Sequence, residues 1–190
     1  MQNAHANEPG VTKYLITIPQ TDANDSTSVY MIEAYASQSA LDSHIATPQV
    51  QALLTLFKTE PSLLAEPPKV YPLKPFTSFT RPEIDAHSDP YIVFGILTYK
   101  AGSTGKAAEG WKRVCVATEA NEKGTLSYNV AENTEEERVL STLEIYESKE
   151  YLWKVHAKSE AVSTNKKMNI GIREGLDLAF LRKVEGYLFK

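Results

Sequence analysis

Apolar and polar positions alternate along this chain in two runs that look alike. In the first, VTKYLITIP (11–19) has the β-branched and aromatic content of a strand, which Pro19 ends. After a polar turn, VYMIEAYA (29–36) predicts a second strand, with Glu33 and Tyr35 on one face because strand side chains alternate. Ser37 or Ser39 can cap a helix that gathers Ala40, Leu41, His44 and Ile45. Pro48 suits the first turn of another helix, PQVQALLTLFK. KVYPLKPFTSF (69–79) alternates as a strand, and its prolines push it to a sheet edge or a bulge. Residues 1–11 read as a loose tail, and RPEIDAHSDP (81–90) as a linker.

The second run is more regular. YIVFGILTYK (91–100) predicts a strand, and 106–124 an amphipathic helix with Ala108, Trp111, Val114, Cys115 and Thr118 on one stripe. Gly124 suits its stop. TLSYNVAEN and VLSTLEIYE predict two strands around an acidic turn, followed by a helix from Glu150 to about Thr164 that carries His156. NKKMNIGIREGLDLAFL is ambiguous, with room for a short helix, and FLRKVEGYLFK closes as a strand. The order is β-α-β-β-α-β. The first run reads β-β-α-α-β, without the opening strand and helix. Within both runs Glu33 matches Glu144, Tyr35 matches Tyr146, and His44 matches His156 after one inserted residue. The chain therefore reads as two related halves, 12–80 and 91–190, joined by 81–90.

Composition narrows the classes. At 190 residues and net charge −4, the chain can bury a core but offers no broad basic footprint for nucleic acid. One cysteine, Cys115, permits no intrachain disulfide and no thiolate metal cluster. No apolar run reaches membrane-spanning length and the N-terminus lacks an apolar signal core, so a cytoplasmic protein without a membrane partner is expected. GSTGK (102–106) lacks P-loop spacing, and the histidines lack paired metal-site spacing, so neither a phosphate loop nor a metal site is expected.

Gly124-Thr-Leu-Ser-Tyr128, then Leu143-Glu144-Ile-Tyr146-Glu147-Ser148, then a helix with His156, resembles the antibiotic biosynthesis monooxygenase family of the dimeric α+β barrel group. The resemblance covers about 90–190 well and 12–80 in part. It implies an α+β fold in which two ferredoxin-like halves of one chain form an intrachain dimeric-type barrel. It also implies a small aromatic substrate of the anthrone or quinol kind, from aromatic polyketide pathways, and molecular oxygen as co-substrate without a cofactor. Relatives that bind haem make a His axial ligand the alternative.

Each candidate residue has a chemical and a structural reading. His156 can take a proton from an acidic phenol or anthrone carbon, since imidazole titrates near pH ~6.5; otherwise it is a hydrogen-bonded core histidine. Glu144 could orient that ring, or bond backbone at a rim. Tyr128 could donate to a substrate oxygen, or pack. Trp111 and Trp153 could line a flat pocket, or fill core. Tyr146, and Tyr35, Glu33 and His44 of the first half, complete the candidate binding set. The leading expectation is a cofactor-independent monooxygenase. A non-oxidative cyclase, isomerase or dehydratase needs only the same acid–base groups, and a non-catalytic binding protein needs none. Pairing of two copies stays open.

Overall fold

The computed structural model describes residues 1–190, which divide into two compact units. The first comprises Met1–Thr17, Tyr30–Tyr71 and Val184–Lys190; the second comprises Ile18–Val29 and Pro72–Lys183. The α+β class with two ferredoxin-like units fused in one chain is the one read from the sequence. No helix is long and apolar enough to cross a membrane.

The second unit is built on β4 (Tyr91–Tyr99), α4 (Thr104–Asn121), β5 (Thr125–Asn133), β6 (Val139–Tyr146), α5 (Lys149–Lys154), α6 (Glu160–Asn169) and β7 (Arg173–Tyr187), the last contributing its residues to 183. β4 pairs with β6 and β7, and β5 with β6 and β3 (Leu73–Thr80), all antiparallel. The order is therefore β7-β4-β6-β5-β3. The 69–79 stretch thus sits at the edge as its prolines predict, with an irregularity between Pro75 and Thr77. Its partner is β5, so the compact units do not divide at the 81–90 linker, where Ile84 is buried in a short 3₁₀ turn. One sheet face packs on the helices through Tyr128, Val130, Val114 and Cys115, and through Leu97, Tyr99, Ala107 and Leu140. The alternation of β4, β5 and β6 puts these residues on that face.

The first unit holds α1 (Gln2–Asn7), the antiparallel hairpin of β1 (Val11–Pro19, to Thr17) and β2 (Tyr30–Tyr35), α2 (Gln38–Ile45), α3 (Pro48–Thr59) and the end of β7. Ala4, Val11 and Tyr14 form its buried cluster.

Three local expectations are corrected. Residues 2–7 are a helix rather than a loose tail, anchored by buried Ala4. The expected His156 helix is two helices, α5 and α6, because α5 ends at Val155, whose φ of −111° departs from helical values, and Ser159 caps a new start from extended backbone. Residues 173–187 form one long strand, although its Leu176, Ala179 and Phe180 also fit helical spacing over so short a run.

Gly10 and Gly124 occupy matching tight corners. A Cβ on Gly10 would lie 2.5 Å from that of Ala40, and one on Gly124 2.4 Å from the Tyr151 ring. Alanine 40 has no rotamer with which to retreat. Gly10→Ala is therefore expected to destabilise by about 1–3 kcal/mol. Gly105→Ala, in open helical space, should be neutral or stabilising. Urea unfolding midpoints of the two variants compare them; equal midpoints would contradict the packing account.

Candidate functional site

In the second unit four elements bring polar side chains together between sheet and helices. α4 ends at Glu122, whose backbone leaves the helix at φ −120°, ψ 82° and closes a turn into β5 by accepting from Thr125 N. β5 and β6 place Tyr128 opposite Glu144, and Tyr146 follows on the same face two residues later. Ser148 caps α5 by accepting from Tyr151 N at 3.1 Å. His156 starts the 3₁₀ turn between α5 and α6, and this break aims its ring inward.

Nδ1 of His156 lies 2.7 Å from Oε2 of Glu122, with both side chains 5% exposed. Thr125 Oγ1 also donates to that oxygen, and Thr118 Oγ1 to the other. Burial alone would raise the Glu122 pKa; hydrogen bonds and the charge of His156 outweigh it and hold the carboxyl below its ordinary value. An ionised carboxylate only accepts, so Nδ1 carries a proton and Nε2 is the ring atom left to exchange one. The rings of Tyr128 and Tyr146 lie 5.3 and 5.2 Å from the imidazole.

The expected Glu144–His156 bond is corrected by this geometry. Glu144 instead accepts from the Tyr146 hydroxyl at 2.6 Å, because both point to one face of β6. The Tyr128 hydroxyl is fully buried, with the Glu144 carboxylate beside it. Burial, then the Glu144 charge, pushes both phenols well above their ordinary pKa, so they remain donors.

The tryptophans lie apart. Trp111 packs on the cluster containing Tyr128 and donates from Nε1 to the Tyr99 hydroxyl at 2.8 Å. Trp153 is half exposed on α5, with its ring 5.9 Å from that of Phe180. They do not form one pocket wall around His156. A groove of about 680 Å³ runs between α4 and α6, lined by Gly110, Arg113, Glu122, Val155 and Asn165 among others. It reaches the carboxylate partner of His156; neither His156 nor a tryptophan lines it.

The first unit repeats this arrangement. His44 Nδ1 lies 2.7 Å from Glu8 Oε2, and Glu8 ends α1 at φ −120°, ψ 80°. Tyr14 stands opposite Glu33 in the hairpin, Tyr35 donates to Glu33, and both tyrosine rings lie within 5.6 Å of the His44 ring. Ser37 caps α2 as Ser148 caps α5. His44 Nε2 is sealed without a partner; His156 Nε2 is not among the sealed, unpartnered atoms. Glu8 and Glu122 were not singled out by sequence patterning. The signal was present: Glu-x-Gly-x-x-x-Tyr stands at 8–14 and again at 122–128.

Residues 90–167, the segment that holds Glu122 and His156, match the family model of the antibiotic biosynthesis monooxygenases. No curated protein matches the chain. Among solved structures, a provisionally named monooxygenase of Lactobacillus acidophilus NCFM aligns over 98% of this chain and 83% of its own, at 18% identity and TM-score 0.79. A provisionally named monooxygenase of Fusobacterium nucleatum aligns over 97% and 81%, at 17% identity and TM-score 0.81. An anthrone oxidase-like protein aligns over 98% and 82%, at 15% identity and TM-score 0.64. At these identities the likeness is one of fold.

Because the folded pKa of Glu122 lies below its ordinary 4.5, the ionised carboxylate stabilises the fold above that value. That stability is lost as pH falls through the folded pKa. Glu122→Gln is expected to cost about 1–3 kcal/mol at pH 7 and to flatten the decline below pH 4.5. Urea titrations between about pH 3 and 7 measure both; an unchanged acid limb would contradict the assignment.

Proposed function

We propose that this chain is a cofactor-independent oxygenase acting on an acidic aromatic ring of the anthrone or quinol type, such as aromatic polyketide chemistry produces. The observation that carries this reading is the buried Glu122–His156 pair beside the phenol of Tyr128. The family match over 90–167 supports it, and the fold likeness to an anthrone oxidase-like protein agrees with it.

His156 Nε2 takes the proton of the activated ring carbon, and Glu122 holds the resulting imidazolium in place. The Tyr128 hydroxyl donates to the substrate oxygen on which negative charge collects, in a site that excludes water. The carbanion is then the reductant of molecular oxygen. For a methylene carbon, one oxygen atom ends as the new carbonyl and the other leaves as water with the two hydrogens. Tyr146 and Glu144 are positioning residues, fixed by their mutual bond beside the imidazole. Trp111 supports Tyr128 by packing on its cluster. Substrate approaches along the α4–α6 groove, which half-exposed Val155 and the Glu122 carboxylate line.

One observation favours a second reading. The same pair recurs in the first unit with Nε2 of His44 sealed, as a bond kept for stability alone would be. On that reading the chain binds a small molecule or does nothing chemical.

Oxygen uptake with 1,8-dihydroxy-9-anthrone separates the two. The wild-type chain is expected to consume oxygen, His156→Ala to lose at least ~100-fold, and Tyr128→Phe to lose about tenfold, with the circular dichroism of both unchanged. No uptake above the uncatalysed rate, or full uptake by a folded His156→Ala, would overturn the oxygenase reading.

A further inference from the structure

Gly110 stands where α4 meets α6, in the wall of the groove. A Cβ there would lie 2.2 Å from Oδ1 of Asn165, so the missing side chain lets the Asn165 amide pack against α4. The same point is 3.9 Å from a terminal nitrogen of Arg113, so both groups converge on it. Asn165 is only 5% exposed. Its Oδ1 and its backbone oxygen both accept from Asn169 Nδ2 at 2.8 Å. The bond to the backbone carbonyl settles which atom of Asn169 is nitrogen, and therefore which atom of Asn165 is oxygen. Nδ2 of Asn165 keeps its donors unspent in the groove wall. Beside it, Arg113 is exposed and donates only to the Met168 sulfur at 3.5 Å, a weak acceptor. Glu109, the carboxylate near Arg113 on its own helix, is bonded by Lys112 at 2.7 Å.

The acidic groups of the groove lie toward its other end. Glu122 is further along α4 by a rise of about 13 Å, and His156 occupies it. Glu160 is back along α6 from Asn165 by about 7 Å. Ala117, Val155 and Ala161 supply apolar wall.

We propose that Arg113 and Asn165 bind a carboxylate carried by the aromatic ligand of this groove. A guanidinium offers paired N–H donors and no acceptor, the amide adds another donor, and a carboxylate has the oxygens to receive them. The proposal rests on the reading above that a flat ring enters the groove. It adds the group that ring carries: the substrate is a carboxylic acid of the anthrone or quinol class, not the bare ring.

Calorimetric titration at neutral pH with two anthraquinones tests it, 4,5-dihydroxyanthraquinone-2-carboxylate against 1,8-dihydroxyanthraquinone. Both rings are already oxidised, so binding is read without oxygen chemistry. The carboxylated ring is expected to bind at least ~tenfold more tightly. Arg113→Gln should abolish that preference. Asn165→Asp keeps the bond to Asn169 but sets an oxygen against the ligand, and should weaken the carboxylated ring about tenfold. Lys112→Gln removes the same charge one residue away and should change nothing. Arg113 is exposed, so its variant is expected to keep the wild-type circular dichroism, and it carries the test alone if Asn165→Asp unfolds. Equal affinity for the two rings, binding of neither, a preference kept in Arg113→Gln, or an equal loss in Lys112→Gln would each overturn the proposal. A wild type that prefers the carboxylated ring yet consumes no oxygen with the anthrone would support this site and overturn the oxygenase reading alone.

Discussion

The hydrogen bond between a helix-ending glutamate and a histidine from the next crossover is the constraint on which both units depend. A buried carboxylate is tolerated only with its oxygens occupied. Glu122 has His156, Thr118 and Thr125 as donors, drawn from three separate segments. The bond therefore fixes the corner leading into β5 relative to the break between α5 and α6. With that corner fixed, Tyr128 and Tyr146 pack beside the imidazole. Glu8 and His44 close the first unit by the same geometry, down to nearly equal backbone angles at the glutamate.

The two copies have diverged around a shared core. In the second unit the carboxylate borders a groove between two helices; in the first, His44 ends α2 and its Nε2 is enclosed. The imidazole of the second unit is oriented by its carboxylate and flanked by the phenols of Tyr128 and Tyr146. Those are requirements for proton transfer near neutral pH, and they coincide with the segment that matches the monooxygenase family.

Much of this was legible in the residues. Val11–Pro19 and Thr125–Asn133 have the predicted strand bounds, because β-branched runs there end at proline or turn residues. The Glu-x-Tyr strand and its following histidine revealed the duplication. The carboxylate that matters was not seen, since Glu122 lies in a charged helix end that looks solvated and Glu8 in a polar stretch that looks like a tail. Spacing on one strand suggested Glu144 for His156, yet strand geometry sends Glu144 to Tyr146. Nor could helical periodicity show that the chain breaks at Val155, because the apolar spacing runs on through the break and the new start is set by the Ser159 cap. β3 reads as the last strand of the first half, but pairing with β5 decides its unit.

A double-mutant cycle on Glu122→Gln and His156→Ala, read as unfolding free energies at pH 7, tests the central bond most directly. The account predicts that the two changes are strongly non-additive, with a coupling of about 1–3 kcal/mol. Additivity within about 0.5 kcal/mol would mean that the two side chains stand close without depending on each other, and would contradict it.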